Sequence, residues 1–333
     1  MKRAEFVAIG STIAVAAVIE LLIKTEIINP YWELIIQYAC IMTVLCLGLN
    51  IIYGFNGQFS LGHVAFYGIG AYASAIITKS WTGDNSFGFF GAIVVGGVVA
   101  ALVAFLIGLP ILRLRSDYLG IATLGFGFIV KVFFDNADSL LPIMGGARGM
   151  TAIPKITSFP WVAATAIIGV ILMRNFLYSS PGRATLAIRE DEIAAVSMGV
   201  NATKYKTFAF VLGCTYAGVA GALYAHLYSF LHPSNFDFIK SFDPLLIVVL
   251  GGLGSISGTI IAAVGWTFLL EGLRVILPQD ILDFRYVIYP LLLIIVMVMR
   301  PTGLMGGTEL SFLRAPKILR REAKPQRAAT ESR

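Results

Sequence analysis

The chain has 333 residues, of which 57% are hydrophobic and 13% charged, and it carries a net charge of +6. Charged residues make up about a quarter of an average soluble domain, so this composition excludes a soluble globular protein and implies an integral membrane one. The small basic excess is unevenly spread and has no folded, aromatic-rich basic surface behind it, which excludes nucleic acid as a partner.

At about 20 residues per crossing, the apolar runs predict an all-α polytopic bundle of ten segments: 4–23, 33–53, 60–78, 89–112, 117–134, 159–177, 206–230, 243–254, 257–277 and 284–300. Lys2 and Arg3 precede the first run as in a signal peptide. Glu5, Glu20 and the lack of an A-x-A cleavage site instead favour an uncleaved span.

The second and third segments meet in a polar interruption. From Asn50 to Gly70 the sequence sets Gly54, Asn56, Gly57, Gln58, Ser60, Gly62 and His63 at apparent membrane depth. Hydrocarbon does not tolerate unsatisfied backbone polar groups, so such a break must be buried in protein or line a water-filled cavity. Packing glycines alone would not need Asn and Gln beside them. Asn56, Gln58, Ser60 and His63 are therefore the first candidates for a translocation path, although a single His63 also suits a hydrogen-bonded packing role.

Further along, Lys131 is placed to snorkel from a helix end. The run Gly145-Gly146-Ala147-Arg148-Gly149 has no strand before it and reads as a flexible turn. Between the sixth and seventh segments lies a polar island, Ile188 to Lys206, containing charges of both signs. Within it Glu192, Ala194, Ala195 and Gly199 form E-x-A-A-x-x-x-G, which predicts a short helix with a small-residue face and a glycine stop. That is the pattern of a docking element, with Arg189 and Asp191 flanking it.

His226 and His232 fall at or past the outer end of the seventh segment and read as interfacial. Val249 to Thr259 is a second glycine-rich stretch, where Gly251, Gly252, Gly254 and Gly258 permit close helix packing and serine hydroxyls bond to backbone. Its alternative reading is another helix break beside a path, with Ser255 and Ser257 as secondary lining residues. Glu271 and Arg274, at i and i+3, predict an ion pair on one helix face. Residues 307–333 read as a charged, disordered cytoplasmic tail beyond a transmembrane domain of residues 1–306.

Most lysines and arginines outside the spans fall at Lys2/Arg3, Arg113/Arg115, Arg174 to Lys206 and the tail. With ten crossings all four places share one side, so both termini and the loop at about 180–206 are predicted to be cytoplasmic. Cys40, Cys46 and Cys214 lie in apolar runs without metal-ligand or disulfide spacing. There is no G-x-x-x-x-G-K-[ST], G-x-S-x-G or H-E-x-x-H, so neither a cofactor nor enzymatic activity is predicted. A transporter subunit energised by another protein fits best. A stand-alone secondary transporter or channel is the competing class, though it leaves the docking loop without a job.

The residues at this point resemble the LivM-type permeases of branched-chain amino-acid ABC importers. The likeness runs from about Gly48 to Gly306. Its blocks are Gly57 to His63 with Ala65-Phe66 and Gly68 to Tyr72, Arg189 to Glu192 with Ala194, Ala195 and Gly199, and then Lys204 and Ala217 to Tyr224. Gly251 to Ser255 and Arg300 to Leu304 complete it, with Thr302 where the family commonly has Gln. The resemblance implies a bacterial inner-membrane subunit paired with a homologous LivH-type permease. It also implies two separate ATP-binding subunits and a periplasmic or lipid-anchored substrate-binding protein. Arg189, Asp191, Glu192, Ala194, Ala195 and Gly199 would then dock an ATPase. The resemblance follows the amino-acid branch and so implies branched-chain amino acids as the substrate, with urea or short amides, which the same scaffold also serves, as the alternative.

Overall fold

The computed structural model describes residues 3–82, 85–112, 116–276, 291, 294, 298–300, 302–305, 309 and 310. Arg113, Arg115, most of the tenth predicted segment and nearly all of the tail lie outside the described residues. Among the described residues there is no strand, only an isolated antiparallel bridge between Met150 and Leu231.

The described residues form eleven α-helices: α1 Arg3–Lys24, α2 Pro30–Leu49, α3 His63–Ile77, α4 Ser86–Ile111, α5 Ser116–Asp135, α6 Phe159–Tyr178, α7 Ser180–Glu190, α8 Glu192–Ser197, α9 Ala202–Tyr228, α10 Phe242–Gly251 and α11 Ile256–Ile276. Local chemistry sets their starts. Asn29 accepts the Tyr31 N–H ahead of Pro30, the first residue of α2, and Asn201 accepts the Lys204 N–H at the start of α9. Among the described residues five helices are long and apolar enough to cross a membrane: Pro30–Phe55, Ser86–Ile111, Tyr118–Asp135, Phe159–Tyr178 and Ala202–Tyr228. The third predicted segment starts later than its composition suggests, because residues 56–62 form the non-helical turn into α3.

Helix α9 is the centre, packed against α2, α3 and α4. Apolar packing alone brings little net gain between helices in lipid, so close approach at small residues carries the association. Gly70 of α3 lies on the backbone of Gly218 of α9, and Gly48 of α2 on that of Gly213. Two of the sequence blocks that carry the family likeness, Gly68 to Tyr72 and Ala217 to Tyr224, are thus the two sides of one helix seam.

Several polar residues take partners that the sequence did not suggest. His226 is not interfacial: it is buried in α9, with one ring nitrogen 2.8 Å from the Thr78 hydroxyl and the other 2.7 Å from the Ala222 carbonyl. Lys131 does not simply snorkel, since Asp135 one turn on accepts from its ammonium at 2.9 Å. Glu271 and Arg274 form the expected pair at 3.5 Å, and the Tyr31 hydroxyl donates to the same carboxylate. The Gly145 to Gly149 turn is a series of 3₁₀ turns running into the Met150–Leu231 bridge.

Candidate functional site

The site is built from two helix breaks that clasp each other below a short surface helix. In the first break α2 does not simply end. Its last turn, Asn50–Phe55, widens to a π-helix, a form concentrated at functional positions. Gly57, at φ +71°, then reverses the chain, and α3 resumes at His63. In the second break α10 stops at Gly251, and Gly252, Leu253, Gly254 and Ser255 carry the chain into α11.

Asn50 joins the two. It is fully buried, and its Nδ2 donates to the Ser255 carbonyl at 3.0 Å and to the Thr259 hydroxyl at 2.9 Å. Its Oδ1 accepts the Gly254 N–H at 3.0 Å. A single amide therefore donates to two acceptors and accepts from one donor at the second break. The chain's closing turn lies over the same place, with the Leu304 N–H donating to the Leu250 carbonyl at 2.8 Å and Gly303 against Gly252.

The four first-choice path residues come together here. Asn56, Gln58, Ser60 and His63 are each at most 5% exposed. Yet both side-chain amide atoms of Asn56, Oε1 of Gln58, Oγ of Ser60 and Nδ1 of His63 have no hydrogen-bond partner among the described residues. The other ring nitrogen of His63 lies 3.1 Å from the Leu45 carbonyl, so the ring is packed on one side and open on the other. Burying one unmet polar group costs about 1–3 kcal/mol, and native proteins keep few of them. Asn56, Gln58, Ser60 and His63 thus gather several such atoms in the stretch that leads into α3.

Ser255 and Ser257 are different. The Ser255 hydroxyl accepts the Gly258 N–H, and that of Ser257 donates to Glu309 at 2.6 Å. Glu309 also accepts the Ile256 and Ser257 N–H groups at 2.6 and 3.1 Å, a carboxylate cap on the start of α11 where the helix dipole favours it. Both hydroxyls thus take part in the start of α11. Glu309 itself lies inside the stretch assigned to a disordered tail, and nothing in its local sequence announces the cap.

The docking island is two helices meeting at one residue. Asp191 ends α7 and caps α8, its Oδ1 accepting the Ala194 N–H at 3.0 Å. Gly199, at φ +87°, follows the end of α8. The short helix presents its faces differently from what the pattern suggested. Glu192, half exposed, pairs with Lys206 of α9 at 2.6 Å, and Ala195 is the residue buried against the protein. The outward face carries Ile193, 82% exposed, with Ala194, Val196 and Met198, the last 85% exposed. Isolated apolar residues in a polar island were the available signal for this face. Arg189 is exposed, yet its guanidinium donates to the Gly54 carbonyl of the π-turn and lies beside Gly254 of the second break.

A family model described as "Branched-chain amino acid transport system / permease component" matches residues 31–297. The chain is 36% identical over 302 residues to the "High-affinity branched-chain amino acid transport system permease protein LivM" of Salmonella typhimurium, covering 80% of this chain and 68% of the relative. The protein of the same name from Escherichia coli K12 is 35% identical over the same shares. The corresponding LivH protein of Salmonella typhimurium is 28% identical over 80% of this chain and 91% of its own length. No solved structure matches.

Proposed function

This chain belongs to the branched-chain amino acid transport permease family, and we propose that it forms one of two homologous permease subunits in an ATP-driven importer of branched-chain amino acids. It is a multi-pass inner-membrane protein and the membrane permease subunit of an importer. Two separate ATP-binding subunits supply the energy, a binding protein delivers the solute, and the second permease is of the LivH type. Ten crossings with both termini in the cytoplasm put α7 and α8 on the ATPase side.

The observation that carries this reading is the outward face of α8. Water-exposed Ile193, Val196 and Met198 on a six-residue helix are costly in isolation, and a partner's apolar groove would cover them. Glu192 ties α8 to α9 through Lys206. In the first helix break, Asn56, Gln58, Ser60 and His63 offer unmet donors and acceptors to a solute with charged ammonium and carboxylate groups.

ATP closure moves the docking helix only if the ATPase binds it differently in its two states, since a ligand shifts an equilibrium by its differential affinity alone. The test is uptake of labelled leucine and of labelled urea by proteoliposomes holding the full complex, with co-purification of the ATP-binding subunits scored in parallel. Ile193→Asp with Met198→Asp should abolish co-purification, and Glu192→Lys should reduce uptake at least several-fold. Retained assembly and uptake in both variants would refute the docking assignment, whereas uptake of urea in place of leucine would refute the substrate.

A further inference from the structure

We infer that Arg189 is a positioning residue that carries movement of the docking helix into the two helix breaks, a role distinct from touching the ATPase. This rests on the reading of α8 as the docking element. Three observations on separate parts of the chain support it. The Arg189 guanidinium donates to the Gly54 carbonyl, which lies in the final π-turn where the helical hydrogen-bond ladder stops and carbonyls go unmet. The same guanidinium nitrogen would lie 2.8 Å from a Cβ placed on Gly254, and the Arg189 Cγ 3.2 Å from one on Gly57. One side chain thus spans the first break at two points and touches the second.

The connection to α8 is short and stiff. Arg189 is the next-to-last residue of α7, and Asp191, one peptide beyond that helix, both donates its N–H to the Ala187 carbonyl and caps α8. A displacement of α8 therefore reaches Arg189 without passing through a flexible loop. The guanidinium is a planar fork that is always charged, so it holds a fixed direction toward a carbonyl better than an ammonium on a flexible stem. The two breaks it reaches are themselves tied by Asn50, so a pull on Gly54 moves the Gly252 to Ser255 turn as well. Beside Gly54 lie Asn56, Gln58 and Ser60 with their unmet polar atoms.

The experiment uses the assembled importer in liposomes, with Cys40, Cys46 and Cys214 replaced and the half-buried Tyr53 of the π-turn changed to Cys. Labelling of that thiol is timed with and without ATP. With Arg at 189 the labelling rate should change several-fold on adding ATP. Arg189→Gln should abolish the change and lower uptake at least tenfold, while Arg189→Lys, which keeps a donor without the fork, should keep an intermediate part of both. An ATP response that is the same with Gln as with Arg would overturn the proposal. Loss of the ATP-binding subunits from the Arg189→Gln complex would also overturn it, by placing Arg189 on the docking surface. Failure of the unsubstituted chain to hold those subunits would instead refute the docking reading beneath it.

Discussion

Replacing Asn50 tests whether one buried amide holds the two breaks together. Asn50→Ala removes three hydrogen bonds, to Ser255, Thr259 and Gly254. The damage is not uniform. The Ser255 carbonyl keeps the Thr259 hydroxyl at 2.8 Å and the Thr259 hydroxyl keeps that carbonyl, so only the Gly254 N–H is left without its acceptor. At the ~0.6 kcal/mol averaged for side-chain bonds within membrane proteins, three bonds contribute about 2 kcal/mol. At ~1 kcal/mol each they contribute about 3, within the same range as the penalty for the orphaned N–H. We expect a loss of about 2–3 kcal/mol, read from unfolding of the purified subunit in mixed micelles by tryptophan fluorescence. Asn50→Leu, which refills the volume, should lose a similar amount, because the cost comes from polar pairing and little of it from a cavity. A loss below about 0.5 kcal/mol in both, the size seen for ordinary surface changes, would refute the clasp.

Gln58→Ala should raise the KM for uptake several-fold while leaving unfolding within about 0.5 kcal/mol of the parent, since its Oε1 has no protein partner to lose; transport kinetics identical to the parent would remove it from the path. Glu309→Ala should destabilise the start of α11 by about 1–2 kcal/mol, the usual cost of losing a cap, measured by hydrogen exchange at Ile256 and Ser257; unchanged exchange there would contradict the cap. Gly70→Ala should cost about 1–3 kcal/mol by overpacking, because its added methyl meets the Gly218 backbone, and the companion change Gly91→Ala, which meets nothing within 4 Å, should be near neutral. Equal effects at the two glycines would contradict the seam.

Much of the molecule was legible from composition and pattern. An apolar chain with so few charges has to satisfy its backbone inside helices, and the glycine-rich run at 251–258 announced the close contact that Gly251 and Gly258 make. The polar turn at Asn56 to His63 stood out because Asn, Gln and His are expensive among apolar residues, and the island at Ile188 to Lys206 because both charge signs occur together there. Those features follow from transfer energies that each residue carries wherever it lies in the chain.

Tertiary structure decided the partners. Asn50 looked like one polar residue at the end of an apolar run until the fold set it against Gly254, Ser255 and Thr259, some two hundred positions away. The Ser257 hydroxyl suits a path or a cap equally, and its bond to Glu309, some fifty positions away, comes only from the fold. The E-x-A-A pattern correctly marked a short helix, but a pattern has no outside. Only the fold shows that Ala195 is the residue buried, that Lys206 reaches Glu192, that Ile193 and Met198 face out, and that the Arg189 guanidinium reaches Gly54. Local sequence sets what each residue costs to bury; long-range packing determines which groups are there to meet it.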